Sequence, residues 1–299
     1  MMGNLIKAEF RKTLTLGLWW ALAIPAFAAS LVFALSWGAT VNDFNDFLGS
    51  TDAQQLAMLL GIEVQAMPVG LLSLGRAINI GVFFGVIFGI SALAGEYTRK
   101  TISTTFLTAP NRAAVLSAKM ITSVVWGLLY GFIAVAAASI GTVITVDSEG
   151  LPSAGQWIGI SAAGMLAAVL GTLFGVGLGA VWKSVTGPTV FLCLWMLLIE
   201  NVIVIVAFIS AELGWLGGVL PNGALNGIVG AVGAEAFGAI GSSMADQINQ
   251  VDDGLQWGMQ FFAGAPGAFS WWASALIFFA WTMLFFGSGW AANQNRDIT

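Results

Sequence analysis

Apolar residues gather into six long runs, near 17–38, 77–95, 117–146, 156–182, 188–209 and 271–291, separated by polar stretches or by segments broken with glycine and proline. At 1.5 Å per residue, each run is long enough to cross about 30 Å of hydrocarbon as a helix. The third exceeds that need, which predicts a tilt or a helix emerging from the bilayer. Residues 3–15 follow another pattern: Leu5, Ile6, Phe10 and Leu14 share one helical face, and Lys7, Glu9, Arg11 and Lys12 cover the rest. Such a short basic amphipathic helix is expected to lie in the plane of an anionic inner leaflet, the plainer alternative being a positive flank without defined structure. The apolar run after it continues past Ala26-Phe27-Ala28 to Trp37, too long for the core of a cleaved leader, so a spanning helix is expected there.

Two connections are long. Residues 39–76 contain a candidate amphipathic helix over Ala53 to Met67. The segment 210–270 opens with an apolar, glycine-rich stretch, Trp215 to Ile240, interrupted by Pro221, Asn222 and Gly223. Its pieces are too short to span, and they predict re-entrant half-helices, which survive at membrane depth only when buried against protein. A seventh and eighth span are the competing reading. The expected fold is therefore an all-α integral membrane protein with six transmembrane helices, an N-terminal interfacial helix and a broken outer segment before the last helix. It forms a single transmembrane domain over 1–299.

Composition agrees. Of the 299 residues, 58% are hydrophobic and only 8% charged, against roughly 25% charged in soluble domains. Tryptophans sit at the ends of several runs, including Trp19, Trp37, Trp157, Trp271 and Trp290, where interfacial belts form. The chain has no histidine and one cysteine; zinc, haem and iron–sulfur sites draw on several such ligands, so a metal or cofactor is not expected. Cys193 lies in an apolar run and reads as inert packing.

Charge sets direction. Lys7, Arg11, Lys12, Arg99, Lys100, Arg112, Lys119, Lys183 and Arg296 fall on one side of the predicted membrane, nine of the ten basic residues. Arg76 falls on the other side, with eleven acidic residues from Asp43 to Asp253. Cytoplasmic loops carry the Lys/Arg excess. Both termini are therefore expected in the cytoplasm of a cell membrane, with a bacterial plasma membrane favoured.

Within the spans, Gly81, Gly85 and Gly89 in the second, and Gly171, Gly175 and Gly179 in the fourth, recur at four-residue spacing, the small-xxx-small pattern of close helix packing. Glu200 sits inside the fifth run, between Ile199 and Asn201. A charge at a helix centre in the bilayer costs roughly 2.5–3.5 kcal/mol on insertion scales. Two roles stay open for Glu200: a transport or coupling group, or a carboxyl that fixes helix packing through hydrogen bonds.

Residues 96–116 form the sizeable cytoplasmic connection. Pro110 is placed to close one short helix and Asn111 to open the next, while Ile102, Phe106 and Leu107 suit docking into a partner's groove. With Glu96 at the end of span two, Arg99 and Thr101 after it, then Leu107, Pro110 and Arg112, and Lys119 starting span three, the segment resembles that of the membrane subunits of type-2 ABC exporters. The amphipathic elbow, the six-span layout, Glu200 and the broken outer segment extend the resemblance over nearly the whole chain. Lys100 stands where the family often has glycine, so continuous helix is expected in place of a tight turn.

The resemblance implies a permease that pairs with a second membrane subunit, identical or different. It further implies two separate ATPase subunits, binding ATP and Mg, docked on Glu96, Arg99, Lys100, Thr101, Phe106, Leu107, Pro110 and Arg112. No Gly-x-x-x-x-Gly-Lys-Ser/Thr loop occurs in the chain, so no ATP hydrolysis of its own is expected. An apolar interior favours an amphipathic or lipid-like cargo, and no feature suggests nucleic acid. The competing function is a secondary transporter or channel with Glu200 as its proton or ion site. An intramembrane enzyme is weaker still, because the spans offer no acid/base pair.

Overall fold

The computed structural model describes residues 2–52, 54–55, 68–102, 112–209, 213–245 and 260–294. The candidate helix at Ala53–Met67 falls largely outside them. Among the described residues there is helix and no strand. The chain opens with α1 (Met2–Thr15), turns at Gly17, whose φ of 66° is left-handed, and enters α2 (Leu18–Gly49). Then come α3 (Gly70–Thr98) and α4 (Arg112–Thr145). A 3₁₀ turn at Ser148–Gly150 leads to α5 (Ala154–Trp182), whose start is fixed by a capping box between Ser153 and Gln156. The fifth run is α6 (Thr186–Leu194), a π turn at Trp195–Ile199, and α7 (Glu200–Ile209). A four-residue α8 (Leu216–Val219), then α9 (Pro221–Ala245) and α10 (Trp271–Gln294) complete the chain.

Among the described residues, six stretches are long and apolar enough to cross a membrane: Leu18–Phe47, Gly70–Thr98, Ala114–Thr145, Ala154–Trp182, Thr186–Ala207 and Trp271–Ala291. They are the six runs read from the pattern, with two shifts that have physical causes. The first helix continues well past residue 38 because Asn42 is held at its far end: its side-chain amide donates to the Asp147 carboxylate at 3.0 Å and its carbonyl accepts from the Asp147 N–H at 3.0 Å. The second begins at Gly70 rather than 77, so Arg76 lies inside the helix. Its guanidinium is satisfied there by backbone carbonyls described below.

The expected break stands at Leu220, whose extended backbone parts the four-residue α8 from α9. The second piece is longer than a half-helix: Pro221, Asn222 and Gly223 begin one continuous helix of 25 residues. Proline at the first helical position gives up only an N–H that the helix leaves free.

Helices α3 and α5 form the centre. In their most apolar windows, 61% and 72% of residues are buried, against 22% in the first and last spans. The glycines explain how they meet. A Cβ at Gly179 would lie 2.7 Å from the Ile90 carbonyl oxygen, and one at Gly89 or Gly175 would overlap the Thr172 or Val86 carbonyl. The α5 ladder faces α3 along its length, while the α3 ladder fans out, with Gly81 against Ser30 of α2 and Ala134 of α4. Buried hydroxyls complete the join: Ser73 Oγ of α3 donates to the Ala34 carbonyl of α2 at 3.1 Å and meets Thr142 Oγ1 of α4 at 3.1 Å.

Close backbone contact predicts a steep size dependence. Gly175→Ala should lower the melting temperature in detergent, since overpacking costs about 1–3 kcal/mol, and Gly175→Val should abolish recovery of monodisperse protein. Gly287→Ala, with nothing within 4 Å of the added carbon, should match the parent. A Gly175→Ala protein as heat-stable as the parent would show that the two backbones do not touch there.

Candidate functional site

The C-terminal end of α3 is built by its last turn. The Thr101 N–H donates to the Glu96 carbonyl at 3.0 Å and the Lys100 N–H to the Tyr97 carbonyl at 3.1 Å, the paired bonds of a Schellman ending. Such an ending needs a left-handed residue, and Lys100 takes it with φ 56°. The expected continuous helix is therefore corrected: the tight turn survives without glycine, because the two bonds offset roughly 1–2 kcal/mol of left-handed strain. Arg99, Lys100 and Thr101 are exposed on this turn.

Ile102 behaves otherwise. It is buried with Leu93, Leu116, Val176 and Ala180, so it belongs to the core and not to a docking face. Phe106, Leu107 and Pro110 lie outside the described residues; Arg112 opens α4.

Directly above the turn lies an ionic cluster. Glu96 and Lys119 are 3% and 2% exposed, and Glu96 Oε1 accepts from both Lys119 Nζ and Lys12 Nζ. Lys119 Nζ also donates to Glu9 Oε2 at 2.6 Å. Two lysines face two carboxylates, so the cluster is neutral. Buried charges are tolerated when paired in this way. It joins three elements: α1 through Glu9 and Lys12, the end of α3 through Glu96, and the start of α4 through Lys119.

The elbow helix is thereby turned. Glu9 and Lys12, read from sequence as solvent-side charges, point into the bundle, and Phe10 packs on Trp126 with ring centroids 6.1 Å apart. Leu14, assigned to the apolar face, is 53% exposed. The signal for this was Lys119 itself, a lysine one turn into an apolar run, where a buried amine demands a carboxylate.

Glu200, 1% exposed, has a definite task. Its carboxylate accepts from Trp195 Nε1 at 2.7 Å, from the Asn222 N–H at 3.0 Å and from the Gly223 N–H at 2.6 Å. The last two are free N–H groups at the start of α9, where a negative group also meets the positive end of the helix dipole. Glu200 thus caps a helix to which it does not belong.

Arg76, which was not singled out from sequence as a site residue, does the converse. Its Nε donates to the Phe262 carbonyl at 3.1 Å, and its Nη2 to the Phe261 carbonyl. The guanidinium lies 4.9 Å from the Trp37 ring centre. One anion holds N–H groups, one cation holds carbonyls, and both act on the outer segment.

Two substitutions test these clusters. Lys119→Met strands the Glu9 carboxylate and leaves Glu96 with Lys12 alone, and should destabilise by about 3–5 kcal/mol. Adding Glu96→Gln should recover much of that loss, because the charges left in the cluster, Glu9 and Lys12, again sum to zero. Strict additivity of the two changes in thermal unfolding would dissolve the cluster. For Glu200, three donors aim at two oxygens, so Glu200→Gln turns an NH₂ against a donor and should cost about 1.5–3 kcal/mol, the worth of a charge-assisted bond. A Gln variant with the parental melting temperature would refute capping by a carboxylate.

No curated protein matches the chain. A family model described as an ABC-2 family transporter protein matches residues 3–298. Because that match extends over nearly the whole length, the chain belongs to the ABC-2 transporter family.

Proposed function

We propose that this permease is the membrane half of an ATP-driven exporter, working as a dimer on two separate ATPase subunits and moving an amphipathic or lipid-like substrate. The observation that carries the reading is the neutral buried cluster above an exposed basic turn. A push on Arg99, Lys100 or Thr101 from a cytoplasmic partner acts at the C-terminus of α3, and Glu96 passes it to α1 and α4 without any flexible linker. Family membership supports an ATPase partner in general, and the chain offers no phosphate-binding loop of its own.

In this proposal the termini and residues 96–116 are cytoplasmic, in a cell membrane, and 210–270 faces outward. The start of α9 is re-entrant. Trp281 Nε1 donates to the Val219 carbonyl at 2.9 Å, and Trp281 falls at the middle of the span Trp271–Ala291, which would put the α8–α9 turn deep in the bilayer. Lys7 and Arg11 are exposed on α1, which suits contact with anionic headgroups. Glu200 works as a structural clasp rather than an ion site, since its oxygens are committed to three fixed donors.

The purified chain should hydrolyse no ATP. Arg99→Glu with Phe106→Ala should release the ATPase on co-purification or uncouple its hydrolysis from transport, the loss of one interfacial anchor being worth about 2 kcal/mol, or roughly thirtyfold in affinity. Parental co-purification with parental coupling would remove the docking assignment, and hydrolysis by the chain alone would remove the permease assignment.

A further inference from the structure

A cavity of about 120 Å³ lies between α5, the α6–π segment, the start of α9 and α10. Phe174, Leu178, Leu192, Trp195, Trp281 and Phe285 make most of its wall, Pro221 adds one side, and no polar surface faces it. Apolar cavities of roughly 150 Å³ stay dry and take up a benzene. This one is slightly smaller, shaped by flat rings, and offers nothing to hold water or a headgroup.

Its place in the membrane narrows the guest. Trp195 and Trp281 each fall at the middle of their spans, Thr186–Ala207 and Trp271–Ala291, so the cavity lies at the depth where acyl chains of both leaflets end. On one side its wall reaches the lipid-facing surface: Phe191, also part of the lining, is 37% exposed, and its neighbours Val190 and Leu194 are half exposed. The π turn at Trp195–Ile199 widens the helix at this point, and π turns concentrate at functional sites.

We propose that the cavity takes the terminal carbons of a bilayer phospholipid's acyl chain, drawn in beside Phe191. The site is independent of the exporter reading and needs neither ATP nor a partner. It also bears on the outer clasp, because the Trp195 ring that walls the cavity carries the N–H donated to Glu200.

The test is photolabelling of the full chain in phosphatidylcholine nanodiscs, with a phosphatidylcholine bearing a diazirine at the end of one acyl chain. Adducts are expected on Leu178, Leu192 or Met196, which are 0%, 2% and 3% exposed, as well as on the lipid-facing Leu194 and Leu198. Moving the diazirine next to the headgroup should remove the buried adducts. Leu192→Trp, which fills the space, should remove them too while leaving Leu194 and Leu198 labelled. Adducts confined to the lipid-facing residues overturn the proposal, and so does equal buried labelling from the two diazirine positions. The parent with its two probes decides the matter even where the filled variant does not fold.

Discussion

A peptide group in hydrocarbon has no water to bond, so a chain that breaks its helices inside the bilayer must supply every missing partner itself. That constraint organises the stretch between α7 and α10. Among the described residues between α7 and α10, the backbone leaves regular helix at the start of α9 and again just after Phe261 and Phe262, and at both places an acidic or basic side chain comes from elsewhere in the sequence to meet it. Glu200 receives the N–H groups of Asn222 and Gly223, and Arg76 supplies donors to Phe261 and Phe262. These two side chains of opposite sign are the groups that make the irregular chain tolerable there.

The end of the bundle where α1 meets α3 and α4 uses charge differently. Glu96, Lys119, Glu9 and Lys12 bond chiefly to one another, and they add to the packing of Phe10 on Trp126 where α1 has no fully buried residue of its own. Ion pairs hold less tightly than a packed core but demand one geometry. The elbow is therefore set at a defined angle on α3 and α4 instead of floating at the surface.

Much of this was legible in the sequence, and the exceptions share a cause. Length and apolarity place six spans, because the bilayer imposes both. Glycine spacing exposed the helix contact on α5, since a backbone approach leaves no other residue choice. Glu200 stood out because a carboxylate in an apolar run costs free energy unless answered, and Glu96 through the motif it shares with the exporter family. What answered them was hidden: helical periodicity shows which face a residue shares, not which helix lies across from it. Glu9 and Lys12 thus read as surface charges, and Pro221 as a breaker, although proline both ends and begins helices. Lys100 was misjudged for a related reason, because only the tertiary cost of losing the turn reveals that lysine will accept a left-handed backbone.

The glycine contact between α3 and α5 also has a mechanical consequence. Where two backbones touch, no layer of side chains is left to change rotamer and absorb a slide, so the pair moves as one strut. Shear, the small sliding of packed helices that many proteins use to change shape, is denied to it. Displacement must then be taken up by the elements around the strut. The apolar windows of the first, fifth and last spans are only 22%, 28% and 22% buried, and these are the helices with room to swing.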